Sequence, residues 1–387
     1  MNEKLLHTPE GVRDIYDAEC KKKKKVISQI HHVLELYSYQ DIDTPSFEYF
    51  DIFNMDKGSA ASNEMYKFFD RNNNTLVLRP DITPSIARSV AKYYPEEQLP
   101  IRLCYAGNTF LNTHQHQGKL SEFTQIGGEL INDDSYAADA EIIACVIHCL
   151  LAAGLKEFQI EIGEVEFFKG MIEEAGLDDE TEQRIKEYIH SKNFFGLTEF
   201  VNTLEIPEER KTALKSFESL FGGLDMLDHA EKLVTNAASL EAIARMRKVY
   251  TALTSYGYEK YVSFDLSMIN RFNYYTGIVF RGYTYGTGDA IVKGGRYNSL
   301  MEKFGKKAPS VGFAIYVDDL MSAIARNKID VALDYSNVLV LYKEEDQKVE
   351  LVRMSRRHDL QEYIDYAHKM HFAKLCYFEA ADKITEY

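Results

Sequence analysis

Residues 101–129 read IRLCYAGNTFLNTHQHQGKLSEFTQIGGE and hold the residues best suited to chemistry. Gln125 and Glu129 stand four residues apart around two glycines, the make-up of a polar pocket with room for a small ligand. Upstream, Cys104, Ala106 and Gly107 occupy positions where a site that handles anions needs an arginine. Two further runs pair tyrosines with glycines: Asn273-Tyr274-Tyr275-Thr276-Gly277 and Lys293-Gly294-Gly295-Arg296-Tyr297. Polar aromatics beside glycines on consecutive strands can line a pocket on one sheet face; hairpin turns carrying surface tyrosines fit the same pattern equally well. His114 and His116 alternate with Gln115 and Gln117 but lack a companion Cys or carboxylate set, which reads as a polar loop and predicts no metal there. Cys145, His148 and Cys149 share one helix, with both cysteines in or next to its apolar stripe, which reads as buried structural cysteine. A Ser-His-Asp elbow and a phosphate-binding P-loop are both missing from the sequence; "GKKAPS" lacks the spacing.

The elements that must position these residues follow from periodicity. Residues 17–37 have helical apolar spacing, and Pro45 sits in the extended segment DIDTPSFEYF. Residues 75–79 alternate as a strand that Pro80 stops, and residues 82–93 are helical. Residues 100–106 and 122–131 read as strands joined by a polar loop. A helix follows from 134, capped by Asp134 or Ser135, with Ile142, Ile143, Val146, Ile147, Leu150 and Leu151 on one stripe and Gly154 at its end. Residues 157–163 alternate as a strand, and about 164–258 read as a helical insertion. Strands return in IVFRGYTY, GDAIVKGG and SVGFAIYV, followed by a helix over 317–326. The fold class is α+β: a sheet whose strands come from both ends of residues 1–326, flanked by helices, then a small α/β segment over 327–387.

Composition narrows the function classes. Sixty acidic residues face 45 basic ones, a formal charge of −15, which disfavours general nucleic-acid binding. The basic run Lys21–Lys25 reads as a solvated helix end. No apolar run approaches the ~20 residues of a membrane span, and MNEKLLHTPEGVRD lacks a signal peptide's apolar core. Five scattered cysteines fit reduced thiols, hence a cytoplasmic location.

Seven segments stand in an order and spacing that match a known family: TPEGVRD, TPSFE, LVLRPDITPSIAR, FTQIGGE, NYYTGIVF, GGRYNSL and SVGFAIYVDDL. Over roughly residues 5–326 the chain resembles the catalytic core of histidyl-tRNA synthetase, a class II synthetase. The resemblance implies an antiparallel sheet flanked by helices with a helical insertion, and a homodimer formed around the segment of Pro45. It implies a histidine pocket in which Asp81, Thr83, Gln125 and Glu129 hold the ammonium and Tyr275 and Tyr297 hold the imidazole. That is sound physics: a buried ammonium needs carboxylates, and an imidazole needs partners for both nitrogens.

The same resemblance implies that adenylation is lost. Cys104 and Ala106 stand at the motif 2 arginine and acid, Asp319 at the motif 3 arginine, and Asn270 at the histidine-specific arginine, with Arg271 adjacent. Removing one such electrostatic stabiliser costs on the order of 10²–10³ in rate. Arginines of this family also help hold the substrate carboxylate; backbone N–H groups near Gly127 and Gly128 are the candidates to replace them. The tail of about 55 residues is about half the synthetase's anticodon-binding domain. A histidine site without adenylation, together with the wording YYTGIVF, resembles the regulatory subunit family of ATP phosphoribosyltransferase. Such subunits bind no cofactor, activate a short catalytic subunit at the first step of histidine biosynthesis, and contribute to feedback inhibition by free histidine. A working histidyl-tRNA synthetase is the alternative. A paralogue that senses uncharged tRNA is disfavoured by the charge and the short tail.

Overall fold

The computed structural model describes residues 6–54, 60–112, 120–269, 275–333, 338–342, 352–353, 359–380 and 383–387. Two compact units emerge: Met1–Asp14 with Val26–Asp330, and Ile15–Lys25 with Val331–Tyr387.

The chain opens with helix α1 (Asp17–Leu36), which buries Val26, Ile30, Val33 and Leu34 at helical spacing. Four short strands follow: β1 (Gln40–Asp41), β2 (Phe47–Tyr49), β3 (Lys67–Phe69) and β4 (Thr75–Leu78). Helix α2 (Thr83–Tyr93) has Pro84 in its first turn, where the missing N–H goes unneeded. Two ten-residue strands, β5 (Ile101–Phe110) and β6 (Glu122–Ile131), pair along their whole length. Helix α3 (Tyr136–Ala152) begins at Ser135, whose Oγ accepts from the Ala138 N–H at 3.1 Å. Strand β7 (Phe158–Glu164) leads into α4 (Val165–Ala175), α5 (Asp179–His190), α6 (Phe194–Asn202), α7 (Glu208–Lys215), β8 (Phe221–Gly222), α8 (Leu224–Glu231) and α9 (Ala237–Ser255). The sheet resumes with β9 (Val262–Asp265), β10 (Ile278–Thr284) and β11 (Val292–Arg296), then α10 (Asn298–Lys303), β12 (Ser310–Tyr316) and α11 (Val317–Arg326).

Nine of these strands form one sheet in the order β1-β5-β6-β12-β11-β10-β7-β9-β8. Its centre is antiparallel, from β5 through β7. Towards the edges β1 joins β5 and β9 joins β7 in parallel, so the sheet is mixed and not uniformly antiparallel. Both parallel pairs are made by long crossovers, the connections that parallel neighbours require. The order β2-β4-β3 makes a separate three-stranded sheet.

The two faces of the large sheet differ in character. One carries Ile126, Phe313, Phe280, Ile162 and Phe264, all buried. Helices α1 and α3 lie against this apolar face: Gly128 lies against the Tyr39 ring and Leu34, and the Cys149 thiol approaches the Ile30 carbonyl. Cys145 and Cys149 are buried free thiols within it. α9 packs on α3, α4 and β7. A buried ionic cluster joins these layers: Asp139 of α3 accepts from Arg296 of β11 at 2.7 Å and from Arg245 of α9 at 2.7 Å. On the opposite face α2 and α10 cover the β5–β6 end, packing Ile82, Ile86 and Val90 against Ile101, Leu103 and Met301, and further along Val279 packs with Val165 and Met268.

In the second unit, β13 (Val338–Tyr342), β14 (Val352–Arg353), β15 (Lys374–Ala380) and β16 (Lys383–Glu386) form a four-stranded sheet with helix α12 (Leu360–Lys369). Its core is Leu339, Leu341, Ala367, Leu375 and Tyr377. α12 starts at a capping box in which Asp359 and Glu362 each bond the other's backbone N–H at 2.9 Å. Among the described residues no helix is long and apolar enough to cross a membrane.

Candidate functional site

Directly paired residues of an antiparallel sheet point to the same face, so register sorts the side chains. One row across the sheet is Leu103, Glu129, Gly312, Gly295, Val279 and Gly163. The next is Tyr105, Gly127, Ala314, Lys293, Arg281 and Glu161. Gly107, Gln125 and Tyr316 begin a third. Small residues at the middle make a floor, and larger polar ones stand around it.

The glycines of the floor have specific occupants. A Cβ on Gly312 would fall on the Glu129 carboxyl group, and one on Gly295 would lie 2.7 Å from the Tyr275 ring. Helix α2 delivers its N-terminus over this floor. Thr83 donates from Oγ1 to Glu129 Oε1 at 2.7 Å, and the Tyr297 hydroxyl donates to the other carboxyl oxygen. Asp81 accepts from the Ile82 N–H at 2.7 Å, which fixes its carboxylate at the helix start. Gln125 is buried, and its Oε1 has no hydrogen-bond partner among the described residues. Such an atom is costly unless something else donates to it.

Burial pushes the Glu129 carboxyl up to about 8; the Tyr297 and Thr83 donors oppose this, and the Asp81 charge adds to it. The phenols of Tyr105, Tyr275 and Tyr316 are raised by burial and by the acids they face, so they stay neutral. The pocket therefore gathers two carboxyls, an orphan amide oxygen and several phenols around a small floor. Its best guest is a small cation with N–H donors, because a positive charge releases Glu129 to ionise.

Asp81, Thr83, Gln125, Glu129, Tyr275 and Tyr297, separated widely in sequence, thus meet at one site. Reading the sequence missed Tyr105, Tyr316, Lys293 and Arg281. The signal was parity, since Lys293 lies two and four residues before Gly295 and Tyr297. The Lys293 ammonium is 5.1 Å from the centre of the Tyr316 ring, and Arg281 faces both Tyr275 and Glu161. Arg281 and Glu161 also line a cavity of ≈ 470 Å³ with Lys192, Asp265 and Tyr283.

Two expectations need correction. Cys104 and Ala106 do not face the pocket: they pair with Gly128 and Ile126 and stand on the other face. The Cys104 thiol instead donates to Asp41 at 3.5 Å, and burial with the nearby Asp41 charge pushes it up to about 12. The pocket-facing positions of β5 are Leu103, Tyr105, Gly107 and Thr109, none of them cationic; Arg102 is turned away and pairs with Glu141 at 2.8 Å. Second, the amides of Gly127 and Gly128 lie in an interior strand paired on both sides, so the ladders occupy them. Asp319 is exposed in the first turn of α11, where a carboxylate suits the helix dipole, and it adds negative charge near Tyr316. Asn270 and Arg271, like His114 and His116, lie outside the described residues.

The fold and the site together define a class II synthetase-like protein, and a family model described as Histidyl-tRNA synthetase matches residues 11–320. The chain is 41% identical over 348 residues to an ATP phosphoribosyltransferase regulatory subunit of Acetivibrio thermocellus, covering 90% of this chain and 83% of that one. It is 38% identical to the protein of the same name from Ruminiclostridium cellulolyticum, covering 99% and 94%. A crystal structure from Bacillus halodurans, described as an ATP phosphoribosyltransferase regulatory subunit/histidyl-tRNA synthetase, superposes with a TM-score of 0.82 at 32% identity, covering 98% and 94%. This chain belongs to the family of ATP phosphoribosyltransferase regulatory subunits.

Proposed function

We propose that the chain is a non-catalytic, cytoplasmic subunit that binds free histidine in the Glu129 pocket. As a homodimer it assembles with a short ATP phosphoribosyltransferase catalytic subunit, activates it, and relays feedback inhibition by histidine. The observation that carries the ligand is the Glu129 carboxyl, buried, bonded by Thr83 and Tyr297, and faced by Asp81. Histidine's ammonium meets Asp81, Thr83, Gln125 and Glu129, its ring meets Tyr275 and Tyr297, and its carboxylate meets Lys293 or Arg281. The β5–β6 pair offers no pocket-facing cation, and Asp319 adds negative charge, which supports the absence of adenylation. A working histidyl-tRNA synthetase is the second reading, favoured by the family-model match over residues 11–320.

One reconstitution tests both readings. The chain mixed with a short catalytic subunit is expected to co-elute with it, raise its turnover and render it histidine-sensitive. Glu129→Ala is expected to retain assembly and activation and to lose most of the histidine sensitivity. Alone, the chain is expected to give no histidine-dependent pyrophosphate exchange. Exchange above background, or separate elution with unchanged turnover, contradicts the proposal.

A further inference from the structure

We infer that His31, Asp41 and Cys104 form a binding site for one divalent transition-metal ion of the zinc type. The site lies at the edge of the sheet, on the face away from the histidine pocket. Three elements bring it together: α1 supplies His31, the edge strand β1 supplies Asp41, and β5 supplies Cys104. Asp41 and Cys104 are direct register partners across the parallel β1–β5 pair. His31 Nε2 lies 2.7 Å from Asp41 Oδ1, and Cys104 Sγ lies 3.5 Å from the same oxygen. One ligand atom from each of the three falls within 4.8 Å of the others.

The two edges that meet at Asp41 suit a tetrahedral ion. Metal–sulfur and metal–oxygen bonds of about 2.3 and 2.1 Å place sulfur and oxygen roughly 3.6 Å apart at the tetrahedral angle. The observed 3.5 Å needs almost no adjustment. The imidazole–carboxylate pair must open by only about 0.7 Å to reach the matching edge of roughly 3.4 Å. A thiolate with an imidazole and a carboxylate selects zinc-like ions over magnesium or calcium, which prefer all-oxygen shells. A carboxylate also stands behind the imidazole, with Glu35 Oε1 3.8 Å from His31 Nδ1. A metal-bound histidine ordinarily gives its second N–H to such a group, which fixes the ring. Cys104 is fully buried and anchors the inner side, whereas the Asp41 side chain is 74% exposed and leaves an open way in for the ion and a fourth ligand, water. Bound metal ties the two-residue strand β1 to both α1 and β5. The competing account is a surface ion pair with a thiol hydrogen bond and no affinity for metal.

Competition of the untagged protein against a chromophoric zinc chelator, with cobalt(II) spectroscopy beside it, decides between them. One zinc per chain is expected, with a thiolate-to-cobalt charge-transfer absorption that Cys104→Ser abolishes. Asp41→Asn, at an exposed position that leaves the fold intact, is expected to weaken zinc by at least tenfold. Glu35→Gln is expected to weaken it about 10–100-fold. His229→Gln, exposed on α8 beside the opposite edge of the sheet, is expected to change nothing. Zinc affinity unaltered in both Cys104→Ser and Asp41→Asn, or a cobalt spectrum without the charge-transfer band, overturns the site.

Discussion

Tyr105 and Cys104 are neighbours in the chain and belong to different environments. Tyr105 stands over a floor of glycines among Asp81, Glu129 and Thr83. Cys104 stands on the apolar side, beside Asp41 and His31. The pocket face carries a carboxyl raised to about 8, bonded by Thr83 and Tyr297, and an amide oxygen with no partner among the described residues. The apolar face neutralises Asp139 between Arg296 and Arg245, yet it too holds a buried carboxyl pushed up to about 8, Glu164, whose Oε2 has no hydrogen-bond partner among the described residues. The proposed ligand pocket and the Asp139 ionic cluster thus lie on opposite faces of one sheet, separated by strand parity.

The first way to break this comparison is at the fold-holding side. Asp139→Asn leaves two guanidiniums without their carboxylate, and Arg296 is only 2% exposed. A loss of about 3 kcal/mol or more in urea unfolding is expected, with histidine affinity per folded molecule unchanged. On the pocket side the pattern reverses. Glu129→Gln keeps shape and removes a charge-assisted partner of the ligand, so histidine binding should fall by about 2–3 kcal/mol while unfolding barely moves. Lys293→Met sharpens the picture further, because it tests whether charge on the second floor row meets the ligand carboxylate. An affinity loss of about 1 kcal/mol by equilibrium dialysis is expected, larger at low salt. The smallest effect is the most diagnostic of parity. Cys104→Ser should change histidine affinity by less than about 0.5 kcal/mol, as surfaces away from a site do; a tenfold change would place Cys104 in the pocket after all.

Much of this was legible in the sequence. Helical stripes and strand alternation gave α1, α3, β6 and β7 to within a few residues; burial follows one stripe in α1 and alternates at the start of β7, whereas α3 and most of β6 are buried all round. Gln125 and Glu129 were legible as a pair because four residues along a strand return to the same face. The error at Cys104 and Ala106 has the same origin: each is an odd number of pairings away from the pocket row, and motif spacing alone does not register that. β1 and β3 were hidden because two or three residues carry no period, whereas β4 lay within the strand read over 75–79 and β2 within the extended segment around Pro45. The Asp139–Arg296 contact spans 157 residues, beyond any local pattern.

The central claim is that Glu129 waits protonated for a cation, and proton counting tests it most directly. Its folded value of about 8 lies above its ordinary one, so the empty pocket holds the proton at pH 7 and loses it as pH rises through 8. An arriving ammonium favours the ionised form, so binding below pH 8 must expel that proton, and affinity must climb as pH approaches 8. Calorimetric titration of free histidine at pH 7 in buffers of different ionisation enthalpy reads the number released. Close to one proton more per histidine from the native chain than from Glu129→Gln, with the difference vanishing at pH 9, is the predicted result. Equal proton counts for the two proteins, or equal affinities, would contradict the account.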